Sequence, residues 1–138
     1  PYLIGPRILD VGSGAGLPGI PLALINEDKD FILLDSNGKK TRFMLQATIE
    51  LGIQNIEVVQ SRAQDYQGEF DQIVCRAFAG TDDFVKACSH LLAPGGSLLA
   101  MKGPAESEAA LLPGFKQSIH QLSVPDLPSE RYLIEIGQ

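Results

Sequence analysis

The stretch Asp10-Val11-Gly12-Ser13-Gly14-Ala15-Gly16 constrains this chain most, because it sets alternating glycines where a short apolar strand hands over to a helix. Upstream, Arg7-Ile8-Leu9-Asp10-Val11-Gly12 is an apolar run stopped by glycine, the pattern of a buried parallel strand. Downstream, Pro18-Gly19-Ile20-Pro21-Leu22-Ala23-Leu24-Ile25 keeps both prolines in or near a first helical turn, where a missing N–H costs least. Glycines at such a junction permit positive φ and let a ligand approach the backbone, while the helix start offers unpaired N–H donors.

The unit then repeats. Phe31-Ile32-Leu33-Leu34 ends at Asp35-Ser36-Asn37-Gly38, and residues 40–51 form a helix expected to bury Phe43, Ala47 and Leu51 before Gly52 ends it. Residues 55–59 and 70–75 read as further strands separated by the polar stretch 61–68. Thr81 can cap a helix with Asp82 and Asp83 in its first turn and Phe84, Cys88 and Leu91 inside. Pro94-Gly95-Gly96 reads as a turn into a strand at 97–102, residues 106–112 as a short helix, and 115–124 and 131–137 as closing strands joined by the loop 125–129. Strands alternating with helices predict a doubly wound parallel α/β sheet that takes its ligands at the carboxyl ends of the strands.

With 138 residues and neither linker nor repeat, one domain spanning 1–138 is expected. No apolar run approaches the ~20 residues that cross a bilayer, and no signal peptide is visible, so a cytoplasmic protein without a membrane role is expected. Cys75 and Cys88 lack any paired spacing and read as buried reduced thiols, and His90 and His120 lack metal-ligand spacing, so no metal site is expected. A net charge of -6 argues against a globally basic nucleic-acid binder, so any nucleic-acid contact must be local.

Gly14, Gly16 and Gly19 also satisfy the dinucleotide fingerprint, and a bare strand-to-helix turn would need no ligand at all. Asp10 favours S-adenosylmethionine over NAD: a carboxylate directly before the loop can face a methionine ammonium through water but repels a pyrophosphate. Asp35, 19 residues after Gly16, suits the ribose hydroxyls of either cofactor. A P-loop is excluded because no Gly-Lys-Ser/Thr follows the glycines.

The run from Asp10 to Leu22, with its Leu17-Pro18-Gly19-Ile20-Pro21-Leu22 extension, closely resembles the cofactor loop of the RsmG family, also called glucose-inhibited division protein B. Leu33-Leu34-Asp35-Ser36, Lys39-Lys40-Thr41-Arg42-Phe43, Gln60-Ser61-Arg62-Ala63, Cys75-Arg76-Ala77-Phe78-Ala79, Met101-Lys102-Gly103 and Arg131-Tyr132-Leu133-Ile134 recur in the family's order, so the resemblance covers nearly the whole chain. It implies a Rossmann-like class I methyltransferase fold with a mostly parallel seven-stranded sheet and helices on both faces. It also implies S-adenosylmethionine as cofactor and transfer of its methyl to guanine N7 of bacterial 16S rRNA, with the rRNA or the small ribosomal subunit as partner and a monomer as the working unit. Family members carry a helical segment ahead of the first strand that this sequence does not show, so the chain reads as the methyltransferase domain alone.

The resemblance assigns Asp10, Gly12, Ser13, Gly14 and Gly16 to the methionine end, Asp35 with Ser36 to the ribose, and Ala63 with Gln64 to the adenine. Gln64 stands where the family commonly has glutamate, leaving an amide in place of a carboxylate. Guanine N7 already carries a lone pair, so no general base and no catalytic histidine are expected. Strand four ends in Arg76-Ala77-Phe78, not in the Asn/Asp-Pro-Pro-Tyr loop of amino-directed methyltransferases. Arg76, at the methyl end of the cofactor, and Lys102 are the expected catalytic residues. Both, with Arg62 and a stacking Phe78, should hold the substrate at one mouth of the sheet. Each has a plainer reading: Arg76 as a structural ion pair, Arg62 as a loop brace, Phe78 as core, and Lys39, Lys40 and Arg42 as the solvated start of a helix. Set against the family reading are a small-molecule methyltransferase and a non-catalytic S-adenosylmethionine- or RNA-binding module.

Overall fold

A computed structural model of the chain describes residues 5–12, 19–75, 81–102, 116–122 and 131–137, and at 81–83, 101–102, 116–122 and 131–134 the description is of backbone alone. At the centre, β1 (Arg7–Val11) lies between β2 (Asp30–Asp35) and β4 (Phe70–Cys75), with β3 (Ile56–Gln60) outside β2 and β5 (Leu92–Lys102) outside β4, all parallel. Then β6 (Lys116–Leu122) and β7 (Arg131–Gly137) close the sheet antiparallel, β7 against β5 and β6 against β7, in the order β3-β2-β1-β4-β5-β7-β6. The chain steps outward from β1 to β3 and then returns to β4, so the winding reverses between β1 and β4 and opens a crevice at their carboxyl ends.

Alternation along the strands builds a core on each face. Leu9, Val11, Ile32, Leu34, Ile73, Cys75, Leu98 and Ala100 point to the side of α3 (Thr81–Cys88), where Phe84 and Cys88 are fully buried. Their neighbours Ile8, Phe31, Leu33, Val74 and Leu99 point to the other side, with Ala23 and Ile20 of α1 (Gly19–Ile25) and Met44 of α2 (Gly38–Leu51). Such two-faced burial accounts for strands that read as continuous apolar runs.

Two expectations are corrected. Helix α2 buries Thr41, Met44 and Thr48, whereas Phe43 is 57% and Leu51 58% exposed and Ala47 is half-buried. The phase is set by Asn37, whose side chain accepts the Lys39 and Lys40 N–H groups at 2.9 and 3.2 Å as N-cap. Threonine can take the buried stripe because each hydroxyl is satisfied within the helix, Thr41 Oγ1 donating to the Gly38 carbonyl and Thr48 Oγ1 to that of Leu45. Further along, Pro94-Gly95-Gly96 does not precede β5 but lies inside it as a bulge: Phe70 pairs with Leu92, yet Gln72 already pairs with Ser97. Gly95 takes φ +80°, and at Gly96 a Cβ would stand 2.8 Å from the Asp71 carbonyl, so both glycines are required by the bulge. The helix expected at 106–112 and the loop at 125–129 lie outside the described residues.

Candidate functional site

At the carboxyl edge, β1 exits through Gly12, which adopts φ +71° and donates its N–H to the Leu34 carbonyl at 2.8 Å. Nothing lies within 4 Å of a would-be Cβ there, so the constraint is the left-handed backbone and not space. Asp10, one register position inside, is fully buried, and its Oδ2 accepts the Gly19 N–H at 2.7 Å. That bond ties the first turn of α1 down onto β1, so the carboxylate has a structural task beside the electrostatic one expected of it. Gly19 belongs to the same contact: a Cβ on it would stand 2.6 Å from Asp10 Oδ2 and run into the Leu33 side chain.

β2 ends at Asp35, which is 9% exposed and accepts the Asn37 N–H on Oδ1 at 2.9 Å. This turn aims the carboxylate along the sheet edge. Beside it, the Ser61 N–H donates to the Asp35 carbonyl at 3.0 Å, which carries the end of β3 into the 3-10 turn Ala63–Asp65. Ala63 is buried, Tyr66 closes the turn by donating its N–H to the Arg62 and Ala63 carbonyls, and the Tyr66 ring stacks on Phe70 with centroids 6.2 Å apart. His90 also braces this region, its Nε2 lying 3.1 Å from the Tyr66 carbonyl oxygen.

Val11, Gly12, Leu34, Asp35, Ser36, Ser61, Arg62, Ala63 and Gln64 thus border one pocket of about 170 Å³. Its walls are apolar at Val11, Leu34 and Ala63, its rim polar, and a carboxylate stands at the strand tip. A flat apolar slot beside an oriented carboxylate can hold a nucleoside, the base in the slot and vicinal hydroxyls donating to Asp35. The residues present therefore fit the adenosine half of S-adenosylmethionine. A larger hollow of about 570 Å³ lies at the opposite edge, among Ala23, Glu27, Asp30 and Asn55, where strands begin, and ligands of such sheets bind where strands end.

Of the expected site residues, Gly12, Asp35, Ser36, Arg62, Ala63 and Gln64 converge on this pocket, while Asp10 lies beneath it as the anchor of α1. Ser13, Gly14, Gly16, Arg76 and Phe78 lie outside the described residues, and of Lys102 only the backbone is described, at the end of β5 opposite Tyr132. Sequence reasoning missed Ser61 as a wall of the pocket. Its position directly after β3 was the available signal, since the ends of the parallel strands β1 to β5 share one edge.

Residues 2–132 match the family described as GidB, rRNA small subunit methyltransferase G. The ribosomal RNA small subunit methyltransferase G of Nitrosococcus oceani is 51% identical over 98% of this chain, which spans 65% of that relative's length. Among solved structures, TrmN from Thermus thermophilus superposes with a TM-score of 0.76 at 22% identity over 97% of this chain and 44% of its own. A SAM-dependent methyltransferase from Aquifex aeolicus gives a TM-score of 0.73 at 16% identity, over 96% of this chain and 82% of its own. The family match over residues 2–132 and half-identity over nearly the whole chain agree: the chain belongs to the rRNA small subunit methyltransferase G family.

Proposed function

We propose that this chain is the catalytic body of an S-adenosylmethionine-dependent methyltransferase that modifies guanine N7 in bacterial 16S rRNA. The observation that carries the reading is the oriented Asp35 carboxylate beside an apolar slot in a chain of this family. The cofactor, when bound, supplies an electrophilic methyl group on a sulfonium. Asp35 would accept the ribose hydroxyls, and Val11, Leu34, Ala63 and Gln64, which line the pocket, would hold the adenine. The family resemblance assigns the glycine run from Gly12 to Gly16, with Ser13, to the methionine end.

On the substrate side, Arg76 directly follows β4 in the sequence and Lys102 is the last residue of β5. A guanidinium at that point hydrogen-bonds guanine O6, Phe78 stacks on the base, and Lys102 and Arg62 neutralise flanking phosphates. Guanine N7 would bring its own lone pair, so what these residues would supply is orientation of the base, and none of them need remove a proton first. Among the described residues no helix is long and apolar enough to cross a membrane, and the reading takes the working unit as a cytoplasmic monomer acting on the small ribosomal subunit.

The test incubates the chain with methyl-tritiated S-adenosylmethionine and small ribosomal subunits lacking N7-methylguanosine, then assays the RNA for label at guanine N7. Label at N7 establishes the reaction. Label on metabolites but not on RNA gives a small-molecule enzyme instead, and binding of S-adenosylhomocysteine without any transfer gives a non-catalytic module.

A further inference from the structure

The cations of this acidic chain are not spread evenly. At the edge where strands begin, Lys29 donates Nζ to the Gly5 carbonyl at 2.8 Å, and the Arg7 guanidinium lies 5.1 Å above the Phe70 ring, so both are occupied by the fold. Acidic residues collect at that edge: Glu27, Asp28 and Asp30 at the start of β2, and Glu69 and Asp71 around the start of β4. At the opposite edge Lys39, Lys40, Arg42 and Arg62 are all exposed, and among the described residues none of the four is ion-paired. These four exposed cations therefore gather on the pocket side, around the Asp35 and Asp65 carboxylates, despite the net charge of -6.

The arrangement of two of these side chains, Arg42 and Arg62, is tied to the pocket. Arg42 Nη1 and the Gln60 amide both lie within 3.4 Å of the point where a Cβ of Gly38 would sit. Arg42 therefore folds back over the helix start onto the end of β3, and Gln60 Nε2 donates to the Ser36 carbonyl at 3.5 Å. Ser36 and Arg62 themselves line the pocket. Lys39 and Arg42 are three residues apart and Lys39 and Phe43 four, so the three share the outward face of α2. Phe43, on that face, is 57% exposed and, among the described residues, belongs to none of the core clusters. The backbone N–H groups of the helix start are already taken by Asn37, which leaves side chains as the donors.

We propose that Lys39, Arg42 and Gln60, continuous with Arg62, form a track for the phosphate backbone of the substrate RNA on the adenosine side of the pocket, with Phe43 stacking on an unpaired base. Fixed cations spaced along a helix face contact successive phosphates, and an exposed aromatic among them is a stacking platform that takes any base. The inference rests on the RNA-methyltransferase reading and adds a surface remote from the methyl group.

The test compares the wild-type chain with Lys39→Gln/Arg42→Gln, Phe43→Leu and, as a surface control on α3, Lys86→Gln. Binding to unmodified small ribosomal subunits and to a single-stranded RNA oligonucleotide is measured across salt concentrations, and S-adenosylhomocysteine affinity is measured in parallel. The double variant should lose affinity for RNA and flatten the slope of log K against log salt by about one to two, since each lost phosphate contact removes ~0.7–0.9. Phe43→Leu should weaken RNA binding about fivefold or more with the slope unchanged. Both should bind S-adenosylhomocysteine as wild type does, and Lys86→Gln should match wild type throughout. Wild-type RNA affinity and slope in the double variant overturn the track while leaving the enzymatic reading intact. A wild-type chain that binds S-adenosylhomocysteine but neither RNA nor subunits overturns both.

Discussion

Replacing Gly19 by alanine tests the physical account of the cofactor loop directly. The added methyl would stand 2.6 Å from Asp10 Oδ2 and collide with Leu33, and both residues are fully buried, so neither can swing aside into solvent. Overpacking of a tight interior costs about 1–3 kcal/mol. Displacing the Gly19 N–H from a buried carboxylate weakens a charge-assisted hydrogen bond worth about 1.5–3 kcal/mol. The gain in helix propensity returns at most ~1 kcal/mol. A net loss of about 2–4 kcal/mol follows, which for a domain of this size lowers Tm by roughly 8–16 °C. Urea and thermal unfolding followed by circular dichroism measure it. Combining Gly19→Ala with Leu33→Ala opens space for the methyl, so the alanine at 19 should cost at least ~1 kcal/mol less in that background. A Gly19→Ala protein as stable as wild type within about 0.5 kcal/mol would refute the close-approach argument. So would equal costs in the two backgrounds.

Asp35→Ala should weaken S-adenosylhomocysteine binding about tenfold or more by calorimetry while the far-ultraviolet spectrum stays native, and Asp35→Asn should fall between; wild-type affinity in both removes the ribose assignment. Asn55 donates Nδ2 to the Ala23, Asn26 and Lys29 carbonyls at 3.1, 3.1 and 2.9 Å, clamping the turn between α1 and β2. Asn55→Ala should therefore cost about 1–3 kcal/mol in denaturant unfolding and Asn55→Asp more, because it sets a carboxylate against three acceptors; an aspartate variant more stable than the alanine one contradicts the clamp. Burial, and next the nearby Cys75, push the Cys88 thiol up to about 12 from 9.0. The folded state thus holds this proton more tightly, and the thiol's contribution is complete below pH ~9 and lost as pH rises from about 9 towards 12. Unfolding free energy should fall more steeply over that window in wild type than in Cys88→Ala, by up to ~1.4 kcal/mol per pH unit, and identical slopes would contradict it.

The order of strands and helices was legible because the central strands β1 and β2 are short apolar runs stopped by glycine or a polar cluster, and periodicity is a local property of the chain. The ends of β1 and β2 were legible for the same reason, and with them Gly12 and Asp35: a glycine or carboxylate that terminates an apolar strand is visible without knowing what packs beside it. What covers a helix is not local. The phase of α2 was misread because hydrophobicity favours Phe43 and Leu51, whereas burial went to Thr41 and Thr48, whose hydroxyls bond within the helix, on the side where β2 and β3 lie. The bulge at Gly95 and Gly96 was likewise invisible as part of β5, since it exists only in register with Phe70 and Gln72 of β4. Gln72 shows the same dependence: a polar residue in a strand, it is fully buried because Ser97 receives its amide across β5 and passes the contact to Glu135 of β7. The sequence by itself determined the alternating α/β chain, the glycine turn and the two carboxylates at strand ends. Only the tertiary structure decided that one of them anchors α1 while the other faces the pocket, because that depends on which backbone N–H the folded sheet brings to each.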